Sequence, residues 1–276
     1  MKSIFISGGC GGFGLAVARI FRNEGYIVGL GDLRPPADDS ILGDGITFYE
    51  LDVTKPESWD AALSEFTKLT GGRLDILDNN AGIIDSVTIA ESEPARIRAV
   101  IDVNALGVTL GARAAYPYLK KTPGSQLINI ASFAGCYGIP DVGVYAATKA
   151  YVQSMTETLD LEWRRDKIRV LDINPPMGKD THLRRQVQNG HTPRRKPHAR
   201  RRRASHLACR QPQEPLGQRP PPLGRRRPRQ SSPRSPQHGA RPRSQGHLPS
   251  AVNLVIETIR DSVGKFFDHQ SIEQTI

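Results

Sequence analysis

Tyr145 and Lys149 stand four residues apart in Tyr-Ala-Ala-Thr-Lys, and Ser132 lies thirteen residues before the tyrosine, at the end of an apolar run. Residues four apart on a helix share a face, so the phenol and the ammonium would project together. A free phenol has a pKa of about 10 and is a poor base near neutrality. A neighbouring ammonium, helped by the positive charge of an oxidised nicotinamide, favours the phenolate and lowers that value, which suits the pair to moving a proton to or from an alcohol oxygen. A serine hydroxyl beside it can donate to the same oxygen as charge develops there. Taken singly, each residue has a plainer reading: amphipathic packing for the tyrosine, solvation for the lysine, capping for the serine. Together, and next to a second motif, they carry more.

That second motif is Ser7-Gly8-Gly9-Cys10-Gly11-Gly12-Phe13-Gly14, placed directly after the strand-like Ile4-Phe5-Ile6. A glycine-rich turn between a strand and a helix lets backbone N–H groups approach a pyrophosphate, and the helix N-terminus adds partial positive charge. Gly8, Gly12 and Gly14 are the positions assigned to that task; the alternative is simply a tight strand-to-helix turn. Asp32 closes the next apolar run eighteen residues after Gly14, where a carboxylate can accept from adenosine ribose hydroxyls. The same charge repels a 2′-phosphate, so NAD is favoured over NADP, with Arg34 keeping NADP as the alternative. Asp52 and Val53, after a third run, either border the adenine or belong to an ordinary helix-capping loop.

The elements that would hold these residues alternate. Residues 4–6, 26–30, 47–51, 74–77, 127–130 and 168–173 read as strands. Helical spacing runs over 15–21, 58–69, about 91–119 and 144–163, and Pro56 falls near a first turn, where a missing N–H costs little. Such alternation points to a parallel sheet with helices on both faces. At 276 residues the chain can form one large α/β domain.

Net charge is +10, but eighteen of the 38 basic residues and only one of the 28 acidic ones lie between Leu183 and Ser250. That segment carries +17 and the remainder −7, so no basic groove is implied for the folded part. Arg200-Arg201-Arg202-Arg203 and Pro220-Pro221-Pro222 sit in a stretch with no Phe, Tyr or Trp, which reads as extended and disordered. Helical patterning resumes at 251–259 and a last short strand at 265–268. The expected organisation is a nucleotide-binding and catalytic domain over 1–182, a low-complexity segment over 183–250, and a return to the domain over 251–276. The abrupt loss and return of patterning fits either a translated alternative reading frame in GC-rich DNA or a genuine insertion. Cys10, Cys136 and Cys209 form no C-x-x-C pair and no metal spacing, and no apolar run approaches the ~20 residues of a membrane helix. A cytoplasmic protein is expected.

With these motifs in order, the chain resembles the short-chain dehydrogenase/reductase family over about 1–181, with a weaker echo in 251–268. Ser7-Gly8 through Gly12-Phe13-Gly14 is similar to the family's T-G-x-x-x-G-x-G, with Ser for Thr and Phe where Ile is frequent. Asn79-Asn80-Ala81-Gly82 matches its N-N-A-G, which steadies the central sheet beside the cofactor. Asn104 corresponds to the helix asparagine associated with a proton-relay water, and Ser132, Tyr145 and Lys149 to the catalytic serine and Y-x-x-x-K. The resemblance implies a doubly wound, Rossmann-like sheet of order 3-2-1-4-5-6-7. It also implies cofactor contacts from Ser7, Phe13, Asn80, Ala81, Gly82, Tyr145 and Lys149, the last to the nicotinamide ribose, and a homodimer or homotetramer formed through the long helices.

Three departures stand out. Asp78 takes a strand position that is normally apolar, where an unpaired carboxylate would be costly. The segment 174–181 only loosely matches P-G-x-x-x-T, with Thr181 as a candidate nicotinamide-amide contact. Residues 183–250 replace the apolar substrate lid. The expected function is NAD-dependent hydride transfer between nicotinamide and a secondary alcohol or carbonyl of a small molecule. Two other readings are a protein that binds cofactor without turnover, and nucleic-acid binding through the Arg-rich segment. The absence of interleaved aromatics argues against single-strand recognition by that segment.

Overall fold

A computed structural model describes residues 2–175 together with Glu257 and Ile259. Six strands, β1 (Ser3–Ser7), β2 (Ile27–Asp32), β3 (Ile46–Glu50), β4 (Ile76–Asn79), β5 (Gln126–Ile130) and β6 (Arg169–Ile173), form one sheet. Its order is β3-β2-β1-β4-β5-β6 and every neighbouring pair is parallel. The chain runs outward from β1 to β3, then returns to continue on the other side of β1. That reversal opens a crevice at the carboxyl ends of β1 and β4, where ligands bind in doubly wound sheets. The expected seventh strand and the segment 183–250 lie outside the described residues.

β1, β4 and β5 are buried along their whole length, as parallel strands covered on both faces must be. Alternation sorts their side chains into two layers. Phe5, Leu77 and Leu127 pack with Trp59, Leu63 and Phe66 of α2 (Pro56–Lys68) and with Ala112, Ala115 and Leu119 of α4 (Gly107–Lys120). Ile4, Ile6, Ile76 and Ile128 face the opposite way, onto Val17, Ala18 and Phe21 of α1 (Gly12–Asn23). Ile259 is helical and fully buried in this second layer.

Two boundaries differ from the sequence reading. β4 begins two residues later than expected because Asp75 is occupied in tying down β1. Its carboxylate accepts from the Ser3 N–H at 2.9 Å and the Ser3 hydroxyl at 3.0 Å. The strand then runs on into Asp78 and Asn79, polar residues at which an apolar reading stops. The long helical stretch divides into α3 (Pro94–Ile101) and α4, joined by a π turn over Asp102–Leu106. Single π turns of this kind cluster at functional sites, and this one carries Asn104. The last long helix, α5 (Gly143–Trp163), packs along β5 and β6.

Asp78 is the anomaly of the sheet. It pairs in register with Ile6 on one side and Ile128 on the other, and it shares a face with Ile76 in the α1-side layer. It is fully buried, and none of the described residues gives either carboxylate oxygen a hydrogen bond. Burial pushes its carboxyl up to about 8, so the group is held mainly as the neutral acid at pH 7.

Candidate active site

The glycine turn leaves β1 at Ser7 and enters α1 at Gly12. Gly8 has φ +62°, and a Cβ there would stand 2.8 Å from the Ala81 Cα. A Cβ on Gly14 would lie 2.5 Å from the Gly8 carbonyl oxygen, so both positions exclude any larger residue. Gly11 precedes α1 without a side-chain cap, and the first turn holds no acidic residue. Among the described residues, the helix N-terminus therefore has no side-chain competitor for an anion.

The turn is clamped from β4. Asn80 donates its side-chain amide to the carbonyls of Ser7 at 2.8 Å and Gly8 at 3.1 Å. The Ser7 hydroxyl accepts from the N–H groups of Asn80 (3.1 Å) and Ala81 (3.2 Å) and donates to the Asp78 carbonyl at 3.3 Å. Ser7, Gly8, Asn80 and Ala81 thus form one bonded unit. Phe13, on the first turn of α1, packs against the α1-side layer. Asp32 sits at the end of β2 beside the turn: one carboxylate oxygen accepts from Cys10 N–H at 3.1 Å, the other from Leu33 N–H at 2.8 Å. Each oxygen keeps lone-pair capacity for a further donor. Burial and the Asp32 charge push the Cys10 thiol up to about 12, so it stays protonated.

Asp52 and Val53 follow β3 and have structural duties. One oxygen of Asp52 accepts from the Thr54 N–H at 3.0 Å and the Thr54 hydroxyl at 2.6 Å. The Val53 side chain packs where Gly107 passes, 3.0 Å from a Cβ built there, and its carbonyl takes the Trp59 indole N–H at 3.0 Å. These bonds order the loop between β3 and α2. Thr181 lies outside the described residues.

The second half of the site gathers on β5 and α5. Ser132 follows β5, and its hydroxyl accepts from Ala134 N–H at 3.1 Å, capping the short turn Phe133–Cys136. Tyr145 and Lys149 ride one face of α5, with the ammonium 5.6 Å from the tyrosine ring centroid. Lys149 is almost fully buried and donates to the Ile130 carbonyl at 2.6 Å; burial pulls its ammonium down to about 8. Burial also pushes the Tyr145 phenol up, against the opposing pull of a hydrogen bond from Ser132. The expected acidification drew on the charge of an oxidised nicotinamide as well as on Lys149. The chain alone supplies desolvation, which disfavours phenolate, while Lys149 directs its donor to a backbone carbonyl.

Gly82 joins the two halves. A Cβ on it would stand 3.5 Å from both the Asn104 side-chain oxygen and the Lys149 nitrogen. The Asn104 amide makes three hydrogen bonds: its oxygen accepts from Ile83 N–H at 2.8 Å, and its nitrogen donates to the Ile83 carbonyl at 2.8 Å and the Thr148 hydroxyl at 3.2 Å. The π turn thereby binds the strand β4 extension to α5, next to Lys149.

Thr148 was not singled out by sequence reasoning, nor was the buried chain in which the Asn79 amide donates to Asn129 at 2.9 Å and Asn129 to Thr156 at 2.9 Å. Gln153 was missed as well, although it falls on the face of α5 that carries Tyr145 and Lys149. Among the described residues no helix is long and apolar enough to cross a membrane.

A family profile described as short chain dehydrogenase matches residues 2–192. The chain belongs to this family. It is an oxidoreductase by that membership. Among its relatives is the 3-alpha-(or 20-beta)-hydroxysteroid dehydrogenase of Mycobacterium bovis, 35% identical over 181 residues that cover 64% of this chain and 69% of the relative. The 2,5-dichloro-2,5-cyclohexadiene-1,4-diol dehydrogenase of Sphingobium indicum is 34% identical, covering 63% of this chain and 72% of the relative. A solved structure, the 3-ketoacyl-(acyl-carrier-protein) reductase from Brucella melitensis complexed with NADH, superposes with TM-score 0.61 at 31% identity. That match covers 64% of this chain and 76% of the other.

Proposed function

We propose that this short-chain dehydrogenase transfers hydride between NAD and a secondary alcohol or ketone, with Tyr145 as the proton carrier. The observation that supports it best is the junction at Gly82, which sets Lys149 and Asn104 beside the strand that clamps the glycine turn. The residues fit a dinucleotide: an α1 N-terminus without a side-chain competitor, Gly8 and Gly14 where no Cβ is tolerated, and a carboxylate beside the turn. Ser7, Gly12, Phe13, Asn80, Ala81 and Gly82 would line it, with Asp52 and Val53 at its margins; Thr181, the expected nicotinamide-amide contact, lies outside the described residues.

The nicotinamide, when bound, supplies or accepts the hydride. Tyr145 holds the proton that goes to the substrate oxygen in reduction and takes it back in oxidation. Ser132, within hydrogen-bonding influence of the phenol, donates to the same oxygen. Lys149 steadies the ring side of Tyr145 and offers its remaining protons to the cofactor ribose. Asn104 anchors the loop carrying Gly82 and so fixes the floor under Lys149. Exposed Leu106, Tyr151 and Leu161 on the helical flank support a homodimer or homotetramer through α4 and α5, which sedimentation would measure.

Alicyclic ketones are the first substrates to test, since two relatives carry names of cyclic alcohols. Purified protein with NADH should consume the cofactor with at least one of cyclohexanone, a 3-ketosteroid or a short 3-ketoacyl thioester. NADH binding without consumption of any would leave a binding protein, and no binding would remove the cofactor assignment. Asp32→Asn keeps a side-chain acceptor but removes the charge that a 2′-phosphate would face. The NADH-over-NADPH preference in binding should fall by about tenfold, roughly 1.4 kcal/mol; an unchanged ratio would show that another group discriminates.

A further inference from the structure

Gln153 lies two helical turns beyond Tyr145 and one beyond Lys149, on the same face of α5. Its side-chain nitrogen donates to the Ser132 carbonyl at 3.0 Å and to the Asn174 side-chain oxygen at 2.6 Å, with Cys136 Sγ further off at 3.8 Å. An amide nitrogen has two protons, and the two short contacts use both. Asn174 in turn donates to Asp172 at 2.6 Å. The direction of this chain is set by chemistry. A carboxylate only accepts, so Asn174 must present its nitrogen to Asp172 and its oxygen to Gln153. Gln153 must then present its nitrogen, which is also what the Ser132 carbonyl requires.

The Ser132 carbonyl additionally accepts from Gly135 N–H at 3.0 Å, so both its lone pairs are filled. Nearby, a Cβ on Gly135 would lie 2.8 Å from the Ala150 nitrogen and 3.0 Å from the Gln153 side chain. The turn carrying Ser132 is therefore seated directly on α5, and Gln153 is the clasp that also reaches the end of β6.

We infer that Gln153 is a positioning residue that locks the Ser132 turn to the helix bearing Tyr145 and Lys149, and ties both to the chain leaving β6. The inference rests on the assignment of Ser132 and Tyr145 proposed above. Without the clasp the two hydroxyls would sit on elements free to drift, and misplacement of reacting groups by about 1 Å can cost 10²-fold in rate.

The test compares Gln153→Met, of similar length without donors, and Gln153→Glu. The glutamate faces the Ser132 carbonyl and the Asn174 oxygen, so only its protonated form can donate. With cyclohexanone and NADH, or the best ketone of the panel, Gln153→Met should lose about tenfold in kcat with NADH binding unchanged. The kcat of Gln153→Glu relative to the parent chain should recover as pH falls toward 5, a response that simple loss of packing would not produce. Hydrogen exchange over residues 131–137 gives a readout independent of turnover, expected to quicken at least fivefold in Gln153→Met. If the parent chain turns over nothing, the functional reading fails and exchange alone decides the clasp. Unchanged exchange, a kcat within twofold of the parent, or a flat pH ratio for Gln153→Glu would overturn it. Should Gln153→Met fail to fold, the Gln153→Glu pH ratio and exchange decide.

Discussion

Tyr145→Phe should lower kcat by about two to four orders of magnitude, the usual contribution of a positioned proton carrier, while NADH binds as before. The substitution removes one hydroxyl and leaves the ring that packs beside Lys149. Lys149 keeps its bond to the Ile130 carbonyl, so the floor of the site does not depend on the phenol. Ser132 is a poor substitute, because its hydroxyl is held as the cap of the following turn. The pH profile sharpens the test. Burial raises the Tyr145 phenol, so the protonated form needed for ketone reduction persists across neutral pH. Alcohol oxidation needs the phenolate and should rise with pH through the alkaline range. Steady-state rates in both directions, with a fluorescence titration of NADH, check both statements. A variant within fivefold of the parent, or one that keeps the alkaline rise in oxidation, would assign the proton to another group.

Asp78→Val should stabilise the protein by several kcal/mol at pH 7 and flatten its stability against pH. The folded carboxyl titrates at about 8, well above its unfolded value of 3.8, so between these limits the folded state holds a proton that the unfolded state has released. Stability from this group is fully present below about pH 4, falls as pH rises, and levels off above about pH 8. At 1.36 kcal/mol per unit, the part already lost at pH 7 is on the order of 4 kcal/mol. Valine matches the neighbours Ile6 and Ile128 and leaves no polar atom unpaired. Urea unfolding of both proteins from pH 5 to 9 measures this, with Asp78→Asn as the control that removes the charge but still buries a polar group. Parallel curves for parent and Asp78→Val would mean that Asp78 finds a partner or a path to water. The position also touches function, because the Asp78 carbonyl accepts from Ser7, whose hydroxyl organises the start of the glycine turn.

Much of the candidate site was legible because its chemistry is local. The glycine spacing and the four-residue interval from Tyr145 to Lys149 are properties of one turn and one helix, and neither needs a distant partner to be recognised. Asp52 shows the limit of such reading: a carboxylate after a strand serves equally as adenine neighbour or loop acceptor, and its bonds to Thr54 close a local turn ahead of α2. The acidified phenol was inferred from an adjacent cation together with the charge of an oxidised nicotinamide. That inference omitted burial, which depends on every element packed around Tyr145.

The order of elements, the parallel sheet and the candidates for proton transfer were legible in the linear pattern, since alternation and spacing act over a few residues. The tertiary structure alone decided where the Lys149 proton points, which carbonyls Gln153 and Asn80 close, and that the carboxylate of Asp78 stands among isoleucines. The physical reason is range. Hydrogen-bond partners and desolvation come from residues tens of positions away, and a one-dimensional pattern carries no distance between them. The whole functional reading needs the phenol of Tyr145 and the hydroxyl of Ser132 to meet one substrate oxygen, and a structure with bound ketone placing that oxygen elsewhere would end it.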